Sequence, residues 1–329
     1  MFMNNITLKE AAKMFVGKRN IRLLCHIRPD GDTLGSAFGL KYILESSGKH
    51  KVNVVCEDEI PKRLLFLTEG KSHLTPDNTP ENLPELICSI DCAELHRIGS
   101  TYEGIIDLKI DHHKDGGSYA ERNYTEVDAA ATGEIIYALA RELEDIGEGI
   151  LTKEAATALY AAISSDTGSF KYSNVTSRTL RIAADLVDAE ADSADVSHRL
   201  FGIKTLGEIA AQEIMLNNFE LYLGGRVAFL LITNDMKKGF PDDDFSDTVS
   251  QLREIEGVEL SVTVRQEPSD NNGYRISMRS GESISSSELC RLLGGGGHER
   301  AAGATIKADS PEKAKKTVLD TVLSSVAPV

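Results

Sequence analysis

The segment CHIRPDGDTLGSAFG, residues 25–39, brings one imidazole and two carboxylates into seven positions. His26 lies at the end of an apolar run, and Asp30 and Asp32 precede a second apolar segment. A surface turn would account for Pro-Asp-Gly-Asp equally well, because proline, aspartate and glycine are favoured in turns. Taken alone, the segment therefore leaves a plain turn and a reactive site as equal alternatives.

Similar residues follow three more apolar or helical runs. Asp91 follows the apolar run LICSI. In KIDHH, Asp111, His112 and His113 end a further apolar run, and Asp166 ends a helical pattern in AISSDTGSF. Independent turns would have no reason to repeat this design. Two carboxylates about 4 Å apart repel by roughly 4 kcal/mol at an effective dielectric constant of about 20. Four aspartates gathered in one cleft would therefore take up protons or bind cations.

Two divalent cations would balance these four carboxylates, with two neutral imidazoles completing the coordination. The candidate metal ligands are His26, Asp30, Asp32, Asp91, His112 and Asp166. Six side chains can serve two ions if one carboxylate bridges them. Paired ions ~3.5–4 Å apart, with a shared water made nucleophilic, are typical of two-metal hydrolases. Mixed imidazole and carboxylate ligation favours Mn²⁺, leaves Co²⁺, Zn²⁺ and Fe²⁺ open, and disfavours Ca²⁺.

The neighbouring histidines need not share one role. Successive residues after a strand point in different directions, so His112 can bind metal while His113 faces the substrate. Asp111 would orient them without binding an ion itself. One histidine in the core beside one in solvent is the alternative.

These residues need a scaffold that brings several strand ends together. Short apolar runs at 21–27, 51–57, 86–91 and 108–113 alternate with helical patterns at 35–46, 131–144 and 152–164. This alternation predicts an α/β domain with a parallel sheet and helices on both faces. Ligands of such sheets gather beyond the carboxyl ends of the strands, where the acidic residues occur.

The second half of the chain has a different pattern. Runs at 226–233, 258–267 and 273–280 alternate apolar and polar residues, as strands covered on one face do. PSDNNG predicts the turn of a hairpin, and a final helix begins at Ser310 and Pro311. We therefore predict a catalytic domain over 1–190, a helical linker over 191–220, and a smaller α/β domain with a mixed sheet over 221–329.

HIRPDGD, SID, IDHH and SSDTGSF resemble the four signature motifs of the DHH phosphoesterase superfamily, in order and with similar spacing. GGGGHERAAG, residues 294–303, resembles the hallmark of the DHH-associated C-terminal domain. Within the superfamily, the chain is most similar to the bacterial nanoRNase and pAp phosphatase group, where pAp is 3′-phosphoadenosine-5′-phosphate.

The resemblance implies roles for individual residues, with Asp91 bridging two ions. The first ion would be held by His26, Asp30 and Asp91. The second would be held by Asp32, Asp91, His112 and Asp166. His113 would contact the scissile phosphate or assist the leaving group. In the second domain, the glycine-rich loop and His298 would bind a nucleotide, and Arg265 and Arg279 would meet phosphate.

The glycine-rich loop can also be interpreted physically. A helix C-cap needs one glycine, so four in a row, including Gly295, Gly296 and Gly297, favour close approach of the backbone to a ligand. Arg265 and Arg275 alternate with apolar residues and fit a solvated sheet face equally well. Arg279 lies at a strand end, and we favour it as the phosphate contact.

Composition narrows the class of protein. The chain has 329 residues with 51 acidic against 36 basic side chains, a net charge of −15, which argues against long nucleic acid as a partner. The N-terminus does not resemble a signal peptide, and no run reaches the ~18 apolar residues of a membrane span. Five cysteines without metal-type spacing indicate free thiols and a cytoplasmic protein. A homodimer and a monomer both stay open.

We therefore expect a Mn²⁺-dependent phosphoesterase that converts short oligoribonucleotides to mononucleotides, and pAp to AMP, with the second domain holding the substrate's terminal nucleotide. A phosphodiesterase for cyclic di-AMP or its linear product pApA is an alternative, as is a pyrophosphatase or polyphosphatase. A nucleotide-binding regulatory protein without activity is the alternative outside enzymes, and it fits less well because all six ligands are present.

Overall fold

Five short strands of the N-terminal half form a parallel sheet in the computed structural model, which describes residues 5–114, 116–237 and 239–326. The strands are β1 Asn20–Leu24, β2 Lys51–Val55, β3 Leu86–Ile90, β4 Leu108–Asp111 and β5 Arg122–Thr125. Their order is β2-β1-β3-β4-β5, with every neighbouring pair parallel. The first four match the predicted runs, whereas the polar edge strand β5 gave no apolar signal. The order reverses between β1 and β3, and ligands of open α/β sheets bind at such a reversal.

Six α-helices accompany this sheet among the residues described. They are α1 Leu8–Lys13, α2 Gly31–Ser46, α3 Thr132–Asp145, α4 Lys153–Asp166, α5 Ser177–Asp188 and α6 Ser193–Ser197. A Cβ at Gly35 would lie 2.5 Å from the carbonyl oxygen of Ala158, so glycine allows α2 to pack tightly on α4. A Cβ at Gly31 would similarly lie 2.6 Å from Ser165. The start of α2 and the end of α4 therefore meet, next to the strand ends.

The two faces of the sheet are covered differently. Leu23 and Val54 point toward the helices and their large shared core. Leu24 and Val55, the next residues along the strands, belong to a smaller cluster on the other face, completed by residues of 92–106 and 119–120. Short 3₁₀ turns occur in that covering segment. The sequence predicted helices on both faces, but the crossover into β4 is built from such turns instead.

The first compact unit ends at Ile203, after a π-helical turn at His198–Gly202. The predicted linker 191–220 is thereby divided between the units. Val196 is buried in the core of the first unit. Met215, on the next helix, packs in a core of the second unit, which begins at Lys204.

The second unit contains a mixed six-stranded sheet. Its helices are α7 Leu206–Asn218, α8 Thr248–Arg253, α9 Ser286–Leu292 and α10 Pro311–Ser325. Its strands are β6 Glu220–Tyr222, β7 Val227–Ile232, β8 Leu260–Glu267, β9 Asp270–Ser280, β10 Gly296–His298 and β11 Ala301–Lys307. The order is β10-β11-β9-β8-β7-β6. β7 and β8 pair in parallel, and the other neighbours are antiparallel.

Each face of the second sheet has its own core. Phe229, Val262 and other residues of one face pack with α9 and α10, while Ala228 and Leu230 pack with α7 and α8. The Ser310 side chain caps α10 by accepting a hydrogen bond from the backbone N–H of Lys313, as the sequence predicted. The α/β fold is therefore confirmed. Among the described residues, no helix combines the length and the apolar character that crossing a bilayer would require.

Candidate active site

The junction between β1 and α2 supplies three acidic or imidazole side chains. His26 lies two residues after β1, and Asp30 is the N-cap of α2. The Asp30 carboxylate accepts hydrogen bonds from the backbone N–H groups of Asp32 and Thr33, both at 3.1 Å. This capping satisfies donors that a helix N-terminus leaves free, and it fixes Asp30 beside His26.

Asp32 is held by the N-terminus of a different helix. The N-cap of α3, Ala131, has no side chain to cap the helix. The carboxylate of Asp32 instead accepts hydrogen bonds from the backbone N–H groups of Thr132 at 2.7 Å and Gly133 at 3.0 Å. The Ser36 hydroxyl donates a further hydrogen bond at 3.0 Å. Asp32 is fully buried, so these donors replace water around it.

Asp91, the residue after β3, has a left-handed backbone conformation with a φ of 56°. Aspartate tolerates this region better than most residues, and such conformations occur frequently at functional sites. Its backbone N–H donates to the carbonyl oxygen of Ile110 in the adjacent strand at 2.9 Å. The Thr132 hydroxyl donates to Oδ1 of Asp91 at 2.9 Å. These contacts aim the carboxylate into the space beyond the sheet edge.

The two carboxylate oxygens of Asp91 face two different groups of side chains. On one side, Nε2 of His26 lies 3.6 Å from Oδ2 of Asp30 and 3.7 Å from Oδ2 of Asp91. On the other side, Nε2 of His112 lies 3.6 Å from Oδ1 of Asp91. The same His112 nitrogen lies 3.9 Å from Asp32 and 3.4 Å from Asp166. The structure thus brings all six predicted ligands together in two groups that share Asp91.

The nitrogen and oxygen atoms around His112 are better placed to bind a cation than to form hydrogen bonds with one another. Nδ1 of His112 lies 3.2 Å from the carbonyl oxygen of Ala129, which favours the tautomer that leaves a lone pair on Nε2. That buried Nε2 atom has no hydrogen-bond partner among the described residues. Two ligands each 2.1 Å from a tetrahedral metal are about 3.4 Å apart, close to the spacing observed around His112. The group therefore fits a metal ion.

Electrostatics support the same conclusion. Burial raises the pKa of Asp32 to about 8, and the charge of Asp166 adds to the effect. Burial followed by the charges of Asp32, Asp30 and Asp166 raises the pKa of Asp91 well above its usual value. Burial opposes the charge on His112, but the neighbouring carboxylates of Asp166, Asp32 and Asp91 raise its pKa to about 10. Without metal, protons must neutralise the cluster, and divalent cations would displace them.

His113 lies beside the candidate metal ligands, with Nδ1 3.7 Å from Oδ1 of Asp91, but this nitrogen has a closer partner. Its Nδ1 lies 2.8 Å from Oδ1 of Asp111, and its side chain is 31% exposed. Burial opposes the charge on Asp111, but the hydrogen bond from His113 and the charge of Lys109 lower the pKa of Asp111 to about 2. An anionic Asp111 accepts the Nδ1 proton and leaves the other nitrogen to a substrate. This geometry agrees with the orienting role expected for Asp111.

In the second unit, the four glycines at 294–297 have different environments. Gly294 has a φ of 77° and follows the C-cap of α9, so it serves the helix end. A Cβ at Gly295 would lie 2.1 Å from the carbonyl oxygen of Gly303, and one at Gly297 2.8 Å from that of Ala301. A Cβ at Gly296 would meet nothing within 4 Å. Close packing against β11 explains two of the glycines, and Gly296 is left beside open space.

The two predicted phosphate-binding arginines lie at different places on the second sheet. Arg279 of β9 pairs with Ala301 of β11, and Ala301 pairs with His298 of the glycine-rich strand. Arg265 of β8 pairs with Arg275 instead. The structure therefore places Arg279 in one row with the backbone of His298 and does not bring Arg265 there. The side chain of His298 lies outside the described residues.

Arg265 is also engaged elsewhere. It is 5% exposed, and its Nη1 donates to the carbonyl oxygen of Asp242 at 2.9 Å. The Asp242 carboxylate forms an ion pair with Lys237 at 2.6 Å. Arg265 thus has a structural partner within the second unit.

Sequence reasoning missed two contributors to the first-unit site. Thr132 binds both Asp32 and Asp91, and the only sequence signal was a Thr-Gly pair after three alanines, at the start of a helix. Nη2 of Arg97 lies 3.0 Å from Nδ1 of His26, which also lies 2.8 Å from the carbonyl oxygen of Ile27. Arg97 follows Asp91 in a loop whose path the sequence did not predict.

The comparisons with known proteins agree with this geometry. A model of the DHH family, N-terminal domain, matches residues 20–163, and a model of the DHHA1 domain matches residues 224–324. The bifunctional oligoribonuclease and PAP phosphatase NrnA of Thermus thermophilus is 31% identical, over 92% of this chain and 89% of its own length. The protein of the same name from Bacillus subtilis is 29% identical, over 85% and 87%.

A solved structure resembles the whole chain. The exopolyphosphatase-related protein from Bacteroides fragilis has a TM-score of 0.84 and 22% identity, covering 97% of both chains. At this identity the likeness supports the fold alone. The relatives of known name are hydrolases, so the prediction of a phosphoesterase is confirmed at the level of the family. The chain belongs to the DHH family of metal-dependent phosphoesterases and carries its DHHA1 domain.

Proposed function

We propose that this protein is a two-metal phosphoesterase that cleaves short oligoribonucleotides to mononucleotides and converts pAp to AMP. The observation that carries the proposal is the placement of Asp91 between two ligand groups. Its Oδ2 faces His26 at 3.7 Å and its Oδ1 faces His112 at 3.6 Å. A carboxylate positioned between two imidazoles is suited to bridging a pair of ions.

The first ion would be held by His26, Asp30 and Asp91, and the second by Asp32, Asp91, His112 and Asp166. Mixed nitrogen and oxygen donors suit Mn²⁺, which we propose as the metal. Two divalent ions bound there would withdraw electron density from a phosphoryl group and make a water nucleophilic at neutral pH.

The chain's own residues prepare the site for that chemistry. The N-terminus of α3 holds the Asp32 carboxylate through backbone N–H groups, so its orientation does not depend on water. The Thr132 hydroxyl fixes Asp91 by donating a hydrogen bond to its Oδ1. His113, oriented by Asp111, has a nitrogen available to give a proton to the oxygen that leaves phosphorus. Preorganised donors of this kind need no rearrangement during the reaction.

The substrate class is proposed from the relatives and from the second unit. The named relatives act on oligoribonucleotides and on pAp, and their similarity extends over most of this chain. Arg279 lies in one row of the second sheet with Ala301 and His298, and Gly296 lies two rows away on the same strand as His298. Backbone N–H groups beside an open position, together with a guanidinium, suit the phosphate of a nucleotide.

We further propose a cytoplasmic location. All five cysteines are unpaired and buried. Free thiols in this number are typical of a reducing compartment.

The experiment is a turnover panel with purified protein in Mn²⁺. The substrates are pApA, a longer RNA, pAp, cyclic di-AMP and pyrophosphate, with metal-free buffer and an Asp91→Asn variant as controls. We expect pApA and pAp to be hydrolysed, both controls to be inactive, and the longer RNA and pyrophosphate to be poor substrates.

Other outcomes would reassign the protein. Faster hydrolysis of cyclic di-AMP than of pApA would indicate second-messenger turnover. Preferred hydrolysis of pyrophosphate would indicate a pyrophosphatase. Tight binding of pApA without turnover in any divalent metal would contradict an enzymatic function.

A further inference from the structure

A lysine is buried on strand β4 of the first sheet, three residues before the candidate metal ligand His112. Lys109 of β4 is 1% exposed. Its ammonium group lies 3.0 Å from Oδ2 of Asp111 and donates to the carbonyl oxygen of Gly117 at 3.0 Å. It also lies 5.2 Å from the centroid of the Tyr119 ring. Burying a lysine costs free energy unless its ammonium group is paired, and three separate contacts hold this ammonium in place.

The loop after β4 closes over this ion pair. A Cβ at Gly116 would lie 2.6 Å from Nζ of Lys109 and 2.9 Å from Oδ2 of Asp111, so the backbone of the loop lies directly on the pair. The hydroxyl of Tyr119 donates to the carbonyl oxygen of Cys92 at 2.8 Å and fixes the ring that faces the ammonium. The ammonium and the carboxylate therefore have little freedom to move.

The two oxygens of Asp111 have different partners. Oδ2 is paired with Lys109, while Oδ1 lies 2.8 Å from Nδ1 of His113. A carboxylate gripped at one oxygen by a fixed cation cannot rotate about its Cβ–Cγ bond without breaking that pair. Oδ1 therefore keeps its direction toward His113. The described residues give no hydrogen-bond partner to Nε2 of His113, on a side chain that is 31% exposed.

We propose that Lys109 is a positioning residue that locks Asp111, and through it His113, in the orientation that delivers a proton from Nε2 to the leaving group. This inference rests on the function proposed above. A water adds to phosphorus and loses a proton to solvent. As the bond from phosphorus to the ribose oxygen breaks, its electron pair stays on the departing oxygen, which takes the Nε2 proton and leaves as a hydroxyl. The ring keeps its Nδ1 proton on Asp111, and solvent restores the Nε2 proton.

The alternative is that Lys109 only stabilises the loop. The two roles differ in how they depend on the leaving group. Hydrolysis of pApA expels a ribose hydroxyl that needs a proton, whereas the p-nitrophenyl ester of AMP expels p-nitrophenolate, which does not. A loss of loop stability would affect both substrates equally, because both carry the same adenylate group.

The test measures kcat and KM of Lys109→Met on these two substrates with Mn²⁺. We expect kcat for pApA to fall about 10- to 100-fold, with KM and the rate on the p-nitrophenyl ester changed less than about threefold. Lys237→Met removes a buried lysine of the second unit, which pairs with Asp242. It controls for the loss of such a pair and should leave the ratio of the two kcat values unchanged.

A milder variant covers the case in which Lys109→Met does not fold. Gly116→Ala pushes a methyl group against the Lys109–Asp111 pair without removing either charge, whereas Gly117→Ala adds one where nothing lies within 4 Å. Gly116→Ala should lower the kcat for pApA several-fold, to a smaller extent than Lys109→Met, and spare the p-nitrophenyl ester. Gly117→Ala should match the wild type on both substrates.

A further variant, His113→Ala, separates this inference from the proposed function. One possible result is that His113→Ala lowers kcat for pApA only, while Lys109→Met and Gly116→Ala lower kcat for both substrates equally or for neither. This result would overturn the role of Lys109 and leave that of His113 intact. If His113→Ala lowers both substrates equally, the proton-donor role fails, and the inference fails with it. If wild-type protein in Mn²⁺ hydrolyses neither substrate, the proposed function fails.

Discussion

The two units of this protein present their polar side chains on sheets of different kinds, one parallel and one mixed. In the first unit all neighbouring strands are parallel, so His26, Asp91 and His112, which follow β1, β3 and β4, arrive at the same edge. In the second unit β8 and β9 run antiparallel, and Arg265 pairs with Arg275 while Arg279 pairs with Ser261. The two arginines predicted to act together are four positions apart, about 13 Å along the strand.

The two sheets differ in how well the location of a residue can be predicted from its position in the sequence. After a parallel strand, the edge that a residue occupies follows from the direction of the chain alone. In an antiparallel hairpin it depends on the register and on where the turn begins. PSDNNG predicted a turn over six residues, but β9 already begins at Asp270. A parallel sheet therefore makes a site predictable, and an antiparallel one requires the structure.

The strongest test of the first unit is the substitution Asp91→Asn. Because Asp91 lies between both ligand groups, the change should weaken the binding of both ions. Activity should fall by more than about 100-fold, whereas losing a residue that only supports a ligand typically costs about 10- to 100-fold. Asparagine tolerates the left-handed conformation, so the fold should persist. Turnover of pApA and metal content by elemental analysis check this expectation. Activity within a few-fold of the wild type would remove Asp91 from the bridge.

The same variant has a stability consequence that serves as a control. Burial raises the pKa of Asp91 above its unfolded value, so the unfolded chain loses its proton at lower pH than the folded one. The stability of the metal-free protein is therefore diminished as pH rises from about 4 through the folded pKa. Asp91→Asn removes that penalty, so its melting temperature at pH 7 without metal should equal or exceed that of the wild type.

Metal affinity should depend steeply on pH. Asp32, with its pKa raised to about 8, and His112, with its pKa raised to about 10, hold protons in the metal-free protein at pH 7. Ligands must lose these protons when an ion binds. Mn²⁺ affinity should fall at least about tenfold for each pH unit below 8. Calorimetry in two buffers of different ionisation enthalpy would show the proton release, and its absence would contradict the bare-cluster electrostatics.

The second unit can be tested by comparing its two arginines. Arg279→Ala should raise KM for pApA about tenfold and leave the melting temperature nearly unchanged. Arg265→Ala should lower the stability by about 1–3 kcal/mol, because it removes a buried donor from Asp242, and should leave KM unchanged. Thermal melts and KM values for both variants decide the point. An equal rise in KM for the two would show that Arg265 also meets substrate.

The sequence predicted the parts of the molecule that follow from local pattern. Strands β1 to β4 could be predicted because they are apolar runs, and the cap at Ser310 because it has a capping signal. The six candidate ligands, which the structure brings together, could be predicted because they follow such runs or a helical pattern. Lys109 and Thr132 could not, since a lysine within a strand looks solvent-facing and a threonine before a helix looks like a simple cap. Their roles depend on contacts with Gly117 and Asp32, which only the packed structure brings near.

The smallest expected effects concern Gly295 and Gly296, neighbouring glycines that the sequence alone does not distinguish. Gly295→Ala would place a methyl group 2.1 Å from the carbonyl oxygen of Gly303 and should lower stability by about 1–3 kcal/mol. Gly296→Ala meets nothing within 4 Å and should fold as well as the wild type. If the open space beside Gly296 receives a nucleotide, this variant should raise KM for pApA about two- to fivefold, and barely affect bis-p-nitrophenyl phosphate. Unchanged KM with normal stability would show that Gly296 has no part in binding, and the nucleotide contact would then have to lie elsewhere on the second sheet.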